Sequence, residues 1–323
     1  MRLYDHFARL TKWLYDVQIY RETRLRVASL PKHMANATWQ SWIEFESSKR
    51  LLGGLFVLSI VGMVIFDVAP GFDVTQDLEF EEFHDEALWK AATAGEWREL
   101  HASSRRPGGE SHRSIREIVL HVISESGTTD AGGGGAPTNR ASAFSELVVA
   151  HAIVLHMHQL LGVAQSFCRR GSETYLDSFS SSLLSVGLKS LARCQEMLLA
   201  DANDSLDGPL DWVQMPLLSS CQAMLRIAHI RLFRVTADFN RLSLISPEPT
   251  VMEASVARFA ATRLERSPVL LTVVSKCVEE FAILVRMGPI LVHKTAALDW
   301  SVQNAIACWE CGMSSLPCFQ MMV

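Results

Sequence analysis

The stretch Leu51–Phe66, LLGGLFVLSIVGMVIF, carries no charge and stops at Asp67. So apolar a run has two destinations, lipid or the inside of a fold. It is short of the roughly 20 residues a spanning helix needs, and it continues an amphipathic stretch without a break, so it reads as a buried core helix. Burying it takes a large body of protein. The chain's 323 residues supply one, with 49% hydrophobic and 20% charged residues, a composition that excludes disorder over most of the length. No membrane span is expected. Met1–Tyr20 mixes charges with aromatics and does not read as a secretory signal.

Thirty Lys and Arg stand against thirty-five Asp and Glu, a net charge of -5, so the chain as a whole lacks the basic excess of a phosphate-tracking surface. Its seven cysteines, an odd number scattered through apolar stretches, do not form the dense framework of a secreted mini-protein and point to a reducing interior.

Apolar residues recur at three-and-four spacing along most of the chain, and few stretches alternate with period two. The expected fold class is therefore all-α, an irregular multi-helix bundle. Tyr4–Leu30 reads as an amphipathic helix with Tyr4, Phe7, Leu10, Leu14, Val17 and Leu25 near one stripe. Thr38 is the expected cap of the helix holding the uncharged run, and Pro70-Gly71 its expected close. Short helices are expected at Ala87–Ala92, Ala94–Ala102 and Ile115–Ser124. Longer ones are expected at Ala143–Arg170, Thr174–Leu199, Val213–Arg241, Val251–Arg266 and Val269–Val285. Residues 126–138, with GTTDAGGGGAPT, read as a disordered surface loop. Those glycines lack the following Lys-Ser/Thr that would reach phosphate and magnesium. No period of 20–50 residues recurs, so one helical domain over 1–323 is expected rather than a solenoid.

Candidate chemistry is sparse. His151, His156 and His158 share one expected helix, but no acidic residue lies between them and the four-residue pair of a helical zinc site is missing, which favours core or groove histidines. Cys308 and Cys311 form a CxxC near Cys318 without a second pair, which favours buried thiols. Asp201, Asp204, Asp207 and Asp211 surround Gly208-Pro209. A magnesium-pyrophosphate site would need a second carboxylate set opposite, and a solvated turn is the simpler reading. Asp73–Glu86 alternates acids with Phe72, Leu78, Phe80 and Phe83. It reads either as an activation-type segment or, preferably, as a loop whose aromatics pack down while its acids stay wet.

At Trp39–Leu58 the residues WQSWIEFESSKRLLGGLFVL resemble the signature stretch of the fungal-specific transcription factor domain, the helical regulatory region of fungal zinc-finger and zinc-cluster regulators. The resemblance rests on Trp39, Trp42, Glu46, Ser47, Arg50, Leu51, Phe56 and Leu58. It continues in Asp77-Leu78, in Asp85–Ala91 with Trp89, and in Glu96-Trp97. Fainter matches run through His151–Ile153 and His156, Leu225–Phe233 and Lys294–Ser301. Physically, Trp39 and Trp42 lie three apart on one helix face, and Glu46 and Arg50 four apart in the order that favours an ion pair; Arg50 is alternatively an anchor for the acidic loop. Trp39, Trp42, Glu46, Arg50, Trp89 and Trp97 are thus expected to be structural and not catalytic.

The resemblance implies a nuclear transcriptional regulator, and the habits of the family suggest a local gene set such as a secondary-metabolite cluster. It also implies a homo- or hetero-dimer with related regulators, and DNA contact only through an amino-terminal zinc module. No cysteine precedes Cys168, so that module and its zinc are expected outside these residues, and no cofactor is expected within them. The expectation is then a natural truncation or a gene model lacking its ends, cytoplasmic if truncated. The competing expectation is a helical enzyme or small-molecule-binding protein, isoprenoid cyclase-like, that reuses the scaffold without binding DNA.

Overall fold

In a computed structural model, Thr38 begins the long helix as its spacing predicts: its hydroxyl accepts the Ser41 backbone N–H at 3.2 Å and its carbonyl accepts that of Trp42 at 3.0 Å. The structure describes residues 18–27, 38–68, 70–104, 113–124, 141–168, 173–204, 215–233, 246, 248–260, 275, 278 and 301–320. The helices are α1 (18–27), α2 (Trp39–Phe66), α3 (Glu86–Lys90), α4 (Ala94–Ser104), α5 (Ile115–Ile123), α6 (Ala143–Cys168), α7 (Glu173–Asp204), α8 (Met215–Phe233), α9 (Pro249–Ala260) and α10 (Val302–Gln320). Among the described residues there is no strand, only an isolated antiparallel bridge between Glu81 and Ser114. The fold class is all-α.

Several boundaries move from their expected places. α2 ends at Phe66, ahead of Pro70-Gly71, because Asp67 turns into the left-handed region at φ 55 and donates its N–H to the Met63 carbonyl at 2.8 Å. α7 runs on through Asp201 and Asp204, so those two acids are helical and not in the expected turn. α10 gains an N-terminal start at Val302 that no spacing announced. In α1 the buried pair is Tyr20 and Val27, one face at seven-residue spacing, while Leu25 is 65% exposed and off the expected stripe. Tyr4–Leu14 and Val17 of that expected helix, the glycine-rich stretch 126–138, Asp207, Asp211 and most of the expected helix Val269–Val285 lie outside the described residues.

Backbone proximity groups the chain into two units, Met1–Ile60 with Ala69–Ala152, and Val61–Val68 with Ile153–Val323. In the first unit the acidic segment after α2 packs down. Phe72, Val74, Leu78, Phe80 and Phe83 are all buried. Tyr20 and Phe72 meet edge-on at 4.6 Å, as do Phe56 and Phe72 at 5.8 Å and Phe83 and Phe144 at 4.7 Å. The Tyr20 hydroxyl donates to the Asp77 carbonyl at 2.6 Å. The acids are held rather than wet at the key position: the Asp77 carboxylate is buried, accepts the Asp73 N–H at 2.9 Å and lies near Arg21 and Arg24 of α1. Beyond it, Ile115 N–H donates to the Phe80 carbonyl and Arg116 N–H to that of Leu78. These bonds seat α5, whose Ser114 and Glu117 close a capping box.

In the second unit α8 packs against α7 and α10, and α10 also against α9. Leu191, Cys194 and Leu198 of α7 are buried, as are Cys221, Met224, Leu225, Ile227, Ala228 and Ile230 of α8 and Ala307 and Cys311 of α10. An added Cβ at Gly187 would lie 3.1 Å from Met157 Sδ and 3.4 Å from Leu232, so glycine there permits close packing.

Candidate functional site

The most densely connected polar cluster of the first unit is built on two turns of α2. Glu46, Lys49 and Arg50 recur at three-and-four spacing and so share one helix face, turned toward residues 82–86 and α3. Glu46 and Lys49 are wholly buried, and their Oε2 and Nζ are 2.9 Å apart. Arg50 Nε donates to Glu46 Oε1 at 3.1 Å, Nη1 to both oxygens of Glu86 at 3.1 Å, and Nη2 to the His84 carbonyl at 2.9 Å. Its guanidinium also stacks over Trp89, 4.7 Å from the ring centre, and lies 5.3 Å from Phe144. Lys49 Nζ donates to the Glu82 carbonyl at 2.9 Å and sits 5.0 Å from the Phe45 ring.

His84 closes the network. Its backbone N–H donates to Glu46 Oε1 at 3.1 Å, and its ring Nδ1 lies 2.9 Å from Glu46 Oε2. An ionised carboxylate only accepts, so Nδ1 carries the proton. Burial pushes the Glu46 carboxyl up; the hydrogen bond from His84 and the charge of Lys49 outweigh it and hold Glu46 well below the usual carboxylate range. Glu46 and Glu86 balance Lys49 and Arg50, so the buried cluster is neutral with His84 uncharged. Every charge has an opposite partner, which is the condition under which buried ions are tolerated.

Beside this network, Trp42 and Trp97 form a core cluster with Leu88 and Ala91, flanked by Trp39, Ile43, Trp89 and Leu100. The Trp42 and Trp97 rings are 5.7 Å apart at 47°, and Trp97 stacks on His101 at 4.9 Å. The structure therefore brings Trp39, Trp42, Glu46, Arg50, Trp89 and Trp97 into one region. Asp85 caps α3 by accepting the Ala87 N–H at 2.8 Å, which sets Glu86 and Trp89 on the turn facing Arg50. Spacing did not single out Lys49, His84 or Glu86. Lys49 had a local signal, three residues after Glu46, and Glu86 ends the acidic loop that Arg50 was alternatively expected to anchor, as it does; His84 has none, because a loop has no period.

The arrangement holds α2, the acidic segment and α3 together. Glu46 and Lys49 have no solvent access, while His84 is partly exposed.

Of the α6 histidines, His151 is a core residue and His156 and His158 are half-buried. His151 is fully buried and its Nδ1 donates to the Leu147 carbonyl at 2.7 Å; burial pushes its pKa down to about 4. Burial also lowers His156 and His158, the latter opposed by Asp67 3.9 Å away. Burial pushes the Cys194 thiol up to about 12 and raises Cys221 as well, so both are poor nucleophiles. Cys308 is half-buried and Cys311 buried in α10. Among the described residues no three His, Cys, Asp or Glu come together as metal ligands would.

The second unit has a polar lock of its own. Arg231 of α8 pairs with the buried Glu310 of α10 at 3.0 Å and also donates to the Val64 carbonyl. About three turns earlier on α8, Ser220 donates to Ser301 at 2.8 Å, and Asn304 Nδ2 donates to Ser219 at 3.1 Å. These bonds pin the start of α10 to the start of α8.

No curated protein and no solved structure matches the chain. A family model does match, over residues 238–314, and its description is the fungal transcription factor C-terminal domain. The matched stretch takes in α9, Lys294–Ser301 and α10 as far as residue 314, including Glu310; the Trp39–Leu58 signature lies ahead of it. Residues 238–314 are thus similar to the fungal transcription factor C-terminal domain.

Proposed function

We infer that this chain acts in the nucleus as a fungal transcriptional regulator of a local gene set, such as a secondary-metabolite cluster, and is not an enzyme. The match at residues 238–314 is the observation that carries the reading. The largely buried ion network of Glu46, Lys49, Arg50, His84 and Glu86 agrees with it, since such a network stiffens a scaffold. In this reading the helical body is the regulatory part, and DNA is contacted through a zinc module elsewhere or through a dimer partner that carries one. Deleting the gene in its own host and sequencing the transcripts tests this. The expected result is loss or gain of transcripts from a contiguous gene set, restored when this chain is expressed again and accompanied by nuclear fluorescence of a tagged copy. An unchanged transcriptome, or turnover of an isoprenoid diphosphate by the purified protein with magnesium, overturns it.

A further inference from the structure

We propose that the cavity between α1, the acidic segment and α5 is a binding site for a small carboxylic acid with an apolar body. The cavity has a volume of about 610 Å³ and is lined by Arg24 and Leu25 of α1, Thr75, Gln76 and Glu79 of the segment, and Arg116 of α5. That volume falls within the roughly 300–1,000 Å³ of small-molecule sites. All six residues belong to the first unit.

The walls are fixed by the chain itself. On one side the Tyr20 hydroxyl donates to the Asp77 carbonyl at 2.6 Å and Arg24 Nη1 donates to that of Gln76, which ties α1 to the segment. On the other, the Arg116 N–H donates to the Leu78 carbonyl at 3.1 Å and seats the first turn of α5. Between them the Asp73 carboxylate accepts the N–H groups of Thr75 at 2.7 Å and Gln76 at 3.2 Å, which shapes this part of the rim as a tight turn. Walls held in this way lose little freedom when a ligand enters.

The charge of the lining sets the sign of the ligand. Two guanidiniums stand against one carboxylate, in a chain whose net charge is -5. Asp77, 3.7 Å from Arg24, is buried outside the lining and is shared with Arg21. Glu79 shows which anion fits: its carboxylate lies 2.5 Å from Arg116 Nη1, so a carboxylate on a ligand can take the same place. Glu79 is easily displaced. The Arg116 and Glu79 side chains are 41% and 55% exposed, and exposed ion pairs contribute little. Arg116 Nε, moreover, is closed to water and has no hydrogen-bond acceptor. A ligand carboxylate that draws the guanidinium toward the cavity can pair with Nε and Nη together, the bidentate geometry that Glu79 does not supply.

Leu25 sets the rest of the ligand. It is 65% exposed on a helix that buries Tyr20 and Val27, and in the cavity wall it offers apolar surface beside the cations. A bare anion leaves that surface in water. An alkyl or aryl body covers it, which is favourable in proportion to the area removed from water.

Binding is a property of the purified chain and stands apart from its part in transcription. Isothermal titration calorimetry of the full chain with sodium octanoate tests it, beside octanol, which lacks the charge, and inorganic phosphate, which lacks the apolar body. The expected result is saturable uptake of octanoate, roughly tenfold or more tighter than of either comparison probe. Arg116→Met and Arg24→Met should each weaken it roughly tenfold, as loss of a charge-assisted hydrogen bond does. Leu25→Ser should weaken it several-fold. Glu79→Gln should tighten it several-fold, because it removes the carboxylate that competes for Arg116, a gain that a merely structural Glu79 would not give. Circular dichroism checks that each variant folds; should an arginine variant fail, Leu25→Ser and Glu79→Gln, both at exposed side chains, decide the matter. A chain that takes up no octanoate at millimolar concentration overturns the proposal, as does uptake indifferent to these variants. Phosphate bound as tightly as octanoate also overturns it, in favour of a simple anion site.

Discussion

Arg50 Nη1 lies 3.1 Å from both carboxylate oxygens of Glu86, joining the middle of α2 to the first turn of α3 across thirty-six positions of sequence. Replacing Arg50 with Met leaves Glu86 unpaired and strips Glu46 of one partner, and breaking a buried pair this way costs about 3–5 kcal/mol. Arg50→Lys should recover only part of that, because a single ammonium cannot reach Glu46, Glu86 and the His84 carbonyl together. Urea unfolding measures both; the exposed Glu99→Gln, a control, should move stability by no more than about 0.5 kcal/mol. An Arg50→Met chain as stable as the control would remove the network from any structural role.

Acid should weaken the protein in two steps. His151 is buried and neutral with its pKa pushed to about 4 against an ordinary 6.5. The unfolded chain therefore binds a proton between those values that the folded chain refuses, and stability is lost as pH falls from 6.5 to 4, by up to about 3 kcal/mol. His151→Gln should flatten the unfolding midpoint over that window.

Glu46 acts at lower pH. Its carboxyl is held below its ordinary 4.5, so the stability it contributes is complete above that value and drains away as pH falls beneath it. Unfolding midpoints from pH 5 down to pH 2 should fall steeply in the wild type. In Glu46→Gln they should start lower and fall less. A variant with the wild-type slope would place the acid sensitivity elsewhere.

Adjacent glycines should respond in opposite senses. Gly53→Ala drives a methyl into the buried rings of Phe83 and Phe144 and should cost about 1–3 kcal/mol by overpacking. Gly54→Ala meets open space and should raise the melting temperature of the dilute chain, by about 1 kcal/mol of helix propensity. Thermal denaturation at low micromolar concentration separates the two.

Glu310 joins the family-matched stretch to α8 through Arg231. Glu310→Ala should destabilise by about 3 kcal/mol, since it leaves a mostly buried guanidinium short of its counter-ion. Hydrogen exchange of the amides in Val302–Cys311 should quicken more than that of α5. Equal protection in the variant and the wild type would show that α10 is held by its apolar side alone.

Much of this was readable along the chain because it depends on near neighbours. Thr38 announces a helix start by being a short oxygen-bearing residue ahead of an apolar period, and it caps as expected; Ser114 has the same character and also caps. The Glu46–Arg50 pair follows from four-residue spacing on one helix. Asp67 was harder. Its left-handed turn ends α2 before Pro70-Gly71, and an Asp in that conformation leaves no pattern in the letters.

Sequence alone determined that the chain is helical, that α2 has an apolar side too large to leave in water, and that Trp39, Trp42, Glu46 and Arg50 share a helix. Those properties arise from bonds and contacts within a few residues, where period and propensity govern. Tertiary structure alone decided that Lys49 would be buried against the Glu82 carbonyl, that Arg50 would divide itself between Glu46 and Glu86, and that Gly53 would yield to two phenylalanines while Gly54 faces open space. The contacts among these depend on segments returning over the helix from thirty or more residues away. The closing of such loops is set by the packing of the whole core, which no local window of sequence contains.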